Sequence, residues 1–531
     1  MTDSAQSLPR IITEALGGSA LAIAAQRGEL SQWYARLPRS AGDWQKHLDE
    51  VRGSQRDGAW LTRLGPAIDA RGAARARLDR VVAAGGVVVS TGQQAALFGG
   101  PLYTIVKAIG ALGVADALER MTGIPTAIVF WAATDDADYE EARAAHFAVT
   151  GGLRTVSLPP APQAGIPMSE MPMPGIDALV EELAQACGSA SSPEALEIAR
   201  SCYTSASTLG EAYVRQLRAV LEPLGIAVLD AAHGAVRRAA QPVLTRALES
   251  ADTIERALVD RYAAIAKAGF SAQVEHVPGL SLVFMTDEGG EKRRLPIASN
   301  KRSAISASVE RLSPNVLLRP IVERFIMPSA AYIAGPGELA YFAQVSAVAD
   351  ALDLSRPLAL PRWSATVLEP RVERLLARLA IRREELRDRH AVERRLVKAK
   401  LPAEVADALE RLRRDVESDV AALELADRDT LVPPASVQGL RRSLLHRLER
   451  AERRYIAGAK RREDALMRDI ETAAAGLYPN GMRQERVLNW VPFLARYGPA
   501  FMELMRSEAT RHAAALVGMS AADLAAVAER V

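Results

Sequence analysis

Gly86-Val87-Val88-Val89-Ser90-Thr91-Gly92-Gln93-Gln94, then Gly99-Gly100-Pro101-Leu102-Tyr103, then Pro125-Thr126-Ala127-Ile128-Val129-Phe130-Trp131, is the stretch that decides the fold. The run 86–90 is short, continuous and β-branched, as a strand buried on both faces requires. Thr91-Gly92-Gln93-Gln94 reads as the loop that follows it. Pro101 suits the first turn of a helix, where its missing N–H would have no partner in any case. Ile105, Ile109, Leu112 and Leu118 place an apolar stripe on that helix, and Gly123 stops it. The run 125–131 is a second strand. Strand, helix, strand within about 45 residues is a βαβ unit, hence a parallel sheet with a right-handed crossover.

The strand pattern recurs at 226–230 and 329–334, and again at 358–360. The fold class is therefore α/β: a Rossmann-like parallel-sheet core assembled from distant parts of the chain. The core is expected at 1–157, 223–269 and 319–370. Residues 1–80 read as mostly helical. A helical insertion fills 158–222, opening with a loop rich in Pro, Met and Gly. A connecting insertion fills 270–318, where 281–286 and 292–297 flank Asp287-Glu288-Gly289-Gly290, a hairpin signal. Residues 371–475 are poor in glycine and alternate in charge. Leu375, Leu376, Leu379 and Leu386, then Val405, Leu409, Leu412, Val416, Val420 and Leu423, form one stripe. Leu440, Leu444, Leu448, Ala451, Tyr455, Leu466 and Ile470 return after Pro433-Pro434. This predicts an antiparallel coiled-coil arm, serving either as a dimerisation arm or as a solvated helical domain. Residues 476–531 are expected to dock on the core.

Composition narrows the function. The chain has 531 residues, and 66 Lys and Arg against 64 Asp and Glu leave a net charge of +2, so the electrostatic case for a nucleic-acid partner is absent. Two cysteines, Cys187 and Cys202, build neither a disulfide scaffold nor a four-cysteine zinc site. The seven histidines show no metal-ligand spacing, so no metal site is read. No apolar run reaches the ~20 residues of a membrane span, and Met1–Arg10 lacks a signal-peptide pattern. A cytoplasmic protein without membrane or nucleic-acid partners is expected.

Three segments carry chemistry. Thr91, Gln93 and Gln94, with Gly99-Gly100-Pro101, sit where a parallel strand gives way to a helix, the usual ligand crevice of such sheets. Helix N-terminal amides favour anions there. Lys107 lies two turns on, turned to that anion or simply solvated. Thr134-Asp135-Asp136-Ala137-Asp138-Tyr139-Glu140-Glu141 opens on the same sheet edge. Its five carboxylates repel unless a cation relieves them, or they cap a helix. Ser313-Pro314-Asn315 through Arg319 leads to Gly335-Pro336-Gly337-Glu338, which brings Glu338, Tyr341 and Gln344 to one helix face. Arg319 is a fork for carboxylate or phosphate, or a structural ion pair.

These segments in this order resemble the bacillithiol-biosynthesis cysteine-adding enzyme family over nearly the whole chain. The resemblance rests on Thr91-Gly92-Gln93-Gln94, Gly100-Pro101-Leu102-Tyr103 and Lys107; on Phe130-Trp131; on Ser313-Pro314-Asn315 with Leu318-Arg319-Pro320; and on Ala331-Tyr332 with Gly335-Pro336-Gly337-Glu338. Gln484-Glu485-Arg486 with Pro492-Phe493-Leu494 also matches. It implies a homodimer and a ligase that adds cysteine to glucosaminyl malate. Amide formation in water needs an activated carboxyl, which points to ATP with magnesium. Asp135, Asp136 and Asp138 are then the acid–base candidates. Thr91, Gln93, Gln94, Lys107, Asn315, Arg319, Glu338, Tyr341 and Gln344 are the substrate- and nucleotide-binding candidates. Where the family usually has Glu-Asp-His-Asp, this chain has Asp135-Asp136-Ala137-Asp138. Two other classes fit the residues: another small-amine ligase or nucleotidyl transferase on the same core, and a non-catalytic ligand-binding coiled-coil dimer.

Overall fold

The computed structural model describes residues 8–54, 58–188, 192–287, 290–297, 311–427 and 431–519. The chain divides into two compact units: 1–147, 154–367 and 485–531 in the first, 148–153 and 368–484 in the second.

The first unit is built on a five-stranded sheet. Its strands in chain order are β1 (Val87–Gln94), β2 (Thr126–Ala133), β3 (Ile226–Asp230), β4 (Ser329–Ala334) and β5 (Ala359–Pro361), arranged β5-β4-β1-β2-β3 with every neighbouring pair parallel. Every residue of β2 and β4 is buried, which is why their sequences are continuous apolar runs rather than alternating ones. β1 runs further than its β-branched core suggests. Thr91, Gly92, Gln93 and Gln94 are strand, not loop, because β2 keeps pairing with them up to Gln94↔Ala133.

Helix Tyr103–Thr122 makes the β1–β2 crossover and is buried almost all round. It lies between the sheet and helix Val491–Val517. Gly123, at φ +71°, terminates it in the left-handed region. The stretch read as helical before residue 80 also contains a short strand, Arg10–Thr13. Within 158–222 the last helix, Leu209–Leu221, packs on β3 and forms part of the core. The predicted hairpin forms as Leu280–Thr286 against Lys292–Pro296, with Leu312–Pro314 on its other edge; Glu288 and Gly289 of its turn lie outside the described residues.

The second unit is helical. Its long antiparallel pair is Ala403–Ala426 and Pro434–Lys460, turning near Pro433-Pro434 as the pattern predicts. The rest of the arm is more broken than one hairpin. Helix Pro370–Leu379 ends at Ala380 in the left-handed region, Arg389–Lys398 ends before Pro402, and Leu466 and Ile470 sit on a separate helix, Asp464–Leu477. Val420 and Ile456 are the buried residues described in the long pair, whereas Leu412, Leu423 and Leu440 are exposed. Polar struts join the pair, with Arg413 3.1 Å from Glu452. No described helix is long and apolar enough to cross a membrane.

Candidate active site

The strand order reverses direction between β1 and β4, and ligands of open α/β sheets bind at that switch point. The two strands pair as far as Tyr332↔Ser90, with a register shift between Ser329 and Ala331, and then part. Side chains fill the gap. Thr91 Oγ1 donates to the Ile333 carbonyl at 2.9 Å, and Lys107 Nζ donates to the Gly92 carbonyl at 2.7 Å and to Glu338 Oε2. Glu338, at the start of helix Pro336–Ala351, also accepts from the Tyr332 hydroxyl and from the Gly335 amide at 2.6 Å. Arg319 donates to the Tyr332 and Tyr341 hydroxyls at 3.2 and 3.3 Å and stands 3.6 Å from Glu338 and 3.5 Å from Glu323. Lys107 is only 2 % exposed.

Burial lowers the Lys107 ammonium pKa, against the pull of Glu338. Burial works to raise Glu338, yet Lys107 and Arg319 together hold it below the usual carboxylate range. Glu323 has less help: burial lifts it to about 7, with Arg319 pulling the other way. Lys107 and Arg319 thus share the Glu338 carboxylate, and Arg319 also lies 3.5 Å from Glu323. The structural ion-pair reading of Arg319 is the one the geometry shows, and neither cation is free for a substrate carboxylate.

Glu323 gives a measurable consequence. Between its ordinary 4.5 and about 7 the folded chain holds a proton that the unfolded chain has released. Its contribution is complete below pH 4.5 and lost as pH rises through 7. Glu323→Gln cannot ionise. At pH 8 it is expected to exceed the wild type in stability by up to about 3 kcal/mol, with near equality at the acid end of the window. Urea unfolding at several pH values checks this, and parallel curves would refute it.

The edge above β1 and β2 is open. Gln93 Nε2 donates to the Tyr103 hydroxyl at 3.2 Å, and Gln94 Nε2 reaches the Asp138 carbonyl at 3.5 Å. The acidic loop is held from several sides. Lys292 donates to the Asp135 carbonyl at 2.7 Å and pairs with its carboxylate at 3.3 Å, so Asp135 is spoken for. Asp136 Oδ1 accepts from the Ala137 and Asp138 amides at 2.7 and 3.2 Å, which fixes the turn without any help from the side chain of residue 137. Met168 and Ser169 donate to the carbonyls of Asp136 and Thr134, both at 2.8 Å. Asp138 and Glu141 remain exposed. Partial burial and the Asp138 carboxylate push Glu141 upward, and Arg486 pulls it down. Tyr103 is pushed up to about 12, chiefly by burial and then by Glu141.

The glycine loop is not an anion cradle. Leu97, Phe98, Gly99 and Gly100 are buried under residues 488–490. Asn489 Nδ2 donates to the Phe98 and Gly100 carbonyls at 2.9 Å each, Trp490 Nε1 donates to Gly99 O at 3.1 Å, and the Leu102 amide donates to Leu488 O at 2.7 Å. The Gly99 amide donates to the Tyr203 hydroxyl at 2.8 Å. Gly99 has φ +79°, and a Cβ there would meet the Trp490 ring at 2.6 Å. The donors expected for a phosphate are spent on the chain itself. The covering segment is anchored by Glu485, which accepts from Arg362 at 2.6 and 3.0 Å, from Ser364 Oγ at 2.8 Å and from the Ala365 amide at 3.2 Å.

The structure therefore sorts the sequence candidates. Gln93, Gln94, Asp136 and Asp138 share one crevice edge. Lys107, Arg319, Glu338 and Tyr341 form the buried wall beside it. Thr91 is a strand-to-strand strut. Asn315 caps the turn into helix Arg319–Ile326, its Oδ1 accepting from the Leu317 and Leu318 amides at 3.1 and 3.0 Å. Gln344 is fully buried and spends both ends of its amide on Val274 and Tyr262. These three bind the fold rather than face the crevice. Sequence reasoning quoted Tyr103, Glu141, Tyr332 and Arg486 within its motifs without giving them a site role, and it did not name Arg362. Proximity to an acidic loop flags Glu141, but nothing local to Glu485 shows that it pairs with Arg362, over 120 residues away. Among the described residues no group of three His, Cys, Asp or Glu side chains could hold a metal ion.

Known proteins are similar to this chain in sequence. A relative from Solibacter usitatus is 31% identical over 445 residues, spanning 79% of this chain and 82% of its own length, and one from Salinibacter ruber is 29% identical over 448 residues, spanning 79% and 80%; each carries the name "Putative cysteine ligase BshC". Residues 18–363 match the family described as the N-terminal Rossmann-like domain of bacillithiol biosynthesis BshC, and residues 365–515 match its C-terminal coiled-coil domain. With both parts matched in order over most of its length, the chain belongs to the bacillithiol biosynthesis BshC family.

Proposed function

We propose that this chain is a cysteine ligase, joining the carboxyl of cysteine to the amine of glucosaminyl malate and so completing bacillithiol. The observation that carries the reading is the crevice edge at β1 and β2. There two uncharged amides, Gln93 and Gln94, stand beside exposed carboxylates at a sheet edge built for small ligands. The sugar amine must lose a proton before its nitrogen attacks the carboxyl carbon. Asp138 is the loop aspartate that is neither ion-paired nor folded back on its own turn, and it suits that task. Asp136 holds the turn that presents it.

A nucleoside triphosphate with magnesium would supply carboxyl activation in this reading. The 97–102 loop has no spare donors for its phosphates, so no step is assigned to it there. The reading also takes the chain as a homodimer, since Leu412, Leu423, Leu431 and Leu440 leave apolar surface that a second copy would cover.

The test is amide formation from cysteine, glucosaminyl malate and ATP with magnesium, followed by mass spectrometry. Asp138→Asn is expected to cost at least ~10²-fold in rate, the usual size of a proton-transfer contribution. Ala137→His should change the rate far less, because the turn is closed by Asp136. A silent wild type restored by Ala137→His would transfer the role to the histidine that this chain lacks.

A further inference from the structure

One hydrogen bond at the crevice edge leaves its two side chains with polar groups to spare. Gln93 Nε2 donates to the Tyr103 hydroxyl at 3.2 Å, and neither side chain makes another hydrogen bond among the described residues. A phenolic oxygen that accepts from an amide still carries its own O–H, and the amide still carries its carbonyl oxygen. The Tyr103 O–H and Gln93 Oε1 are therefore left over, and both residues are partly exposed. Their mounts are rigid. Gln93 is held in the sheet opposite Ala132. Tyr103 opens the crossover helix at the C-terminal end of β1, where open α/β sheets bind their ligands. The residues around it are tied down: the Leu102 amide donates to Leu488 O at 2.7 Å, the Thr104 amide to Pro101 O at 2.9 Å, and Asn489 Nδ2 to Gly100 O at 2.9 Å. Burial pushes the Tyr103 phenol up to about 12, so it keeps its proton at neutral pH.

An uncharged pair that offers both a donor and an acceptor matches a hydroxyl group, which is itself both. A carboxylate only accepts, and an ammonium only donates. The spacing suits one hydroxyl as well. Gln93 Oε1 shares its amide with the Nε2 that bonds Tyr103, so it lies at most about 5.5 Å from the phenolic oxygen, a gap that one hydroxyl bridges with two bonds of ~2.8 Å. We propose that Tyr103 and Gln93 read a hydroxyl of a polyhydroxylated substrate, the Tyr103 O–H donating to the hydroxyl oxygen and Gln93 Oε1 accepting its proton. This rests on the ligase reading for the identity of the polyol, which is then the sugar of glucosaminyl malate. The pair sets specificity and touches no reacting bond. Gln94, the next residue of β1, reaches the Asp138 carbonyl at 3.5 Å, so a ring anchored on Gln93 lies on the strand end that also carries the acidic loop.

The experiment is calorimetric binding to the full chain, which needs no turnover. The ligands are glucosaminyl malate and its monodeoxy analogues, one for each hydroxyl of the sugar. Wild type, Tyr103→Phe and Gln93→Leu are compared. Tyr103→Phe removes one oxygen and keeps the packing of the ring. It should weaken the parent compound about three- to tenfold, the size of one neutral hydrogen bond. On the one analogue that lacks the partner hydroxyl it should cost nothing further, and Gln93→Leu should lose its effect on that same analogue. A general loss of folding cannot produce that selectivity. Equal penalties on the parent and on every analogue overturn the pair, as does a penalty confined to L-cysteine. Amide formation in the assay above with such a flat pattern would leave the ligase reading in place without the pair. The selective pattern in a chain that forms no amide would keep the pair and refute the ligase reading. A wild type that binds neither the parent nor any analogue refutes the pair.

Discussion

Lys107→Met is expected to lower the unfolding free energy by about 3–5 kcal/mol, the usual cost of removing one partner of a buried ion pair. The size follows from what it strands. Glu338 keeps the Tyr332 hydroxyl and the Gly335 amide but loses its nearest cation, and the Gly92 carbonyl loses the donor that replaces a β4 partner beyond Ser90. Adding Glu338→Gln should recover part of the loss, because a neutral amide costs less to bury beside methionine than a carboxylate does. Urea unfolding of the single and double variants measures both. A loss under about 1 kcal/mol for Lys107→Met would mean that water reaches the gap and that the pair is a surface contact in practice.

Glu485→Ala should cost a similar amount, about 3–5 kcal/mol. Arg362, 4 % exposed, would be left as a buried cation, and Ser364 Oγ and the Ala365 amide would lose their acceptor. The effect should spread along the chain. Residues 488–490 supply the groups that close the Leu97–Gly100 loop, so exchange of the Leu102 and Asn489 amides should accelerate more than exchange in β2. Glu485→Gln, which keeps the shape and can still accept from Arg362, should be milder. Uniform acceleration across the sheet would show global destabilisation alone and would remove the strap role of this segment.

The sheet was legible because its strands are buried on both faces. Such strands must be continuous apolar runs, and 86–90, 125–131, 226–230, 329–334 and 358–360 stand out from any helix-period pattern. The crossover helix and its stop at Gly123 were legible for the same local reasons. The long helical pair was legible through its stripe, whereas its neighbouring breaks were not, because a left-handed residue such as Ala380 leaves no mark in composition. The end of β1 was misread as loop because Gln93 and Gln94 are polar; only the partner strand β2 extends them.

What the sequence determined by itself is the parallel core, the order of its strands along the chain, the helical arm and which loops meet at one sheet edge, since each depends on local period and turn chemistry. The tertiary structure alone decided which polar residues face the crevice. Lys107 and Arg319 look like ligand cations until Glu338, over 200 residues beyond Lys107, is seen to pair with both. The Gly99-Gly100 loop looks like a phosphate cradle until Asn489 and Trp490, nearly 400 residues on, are seen to fill it. Hydrogen-bond partnership between distant residues is set by the packed fold, and whether a charge is spent or free depends on that partnership rather than on its neighbours in sequence.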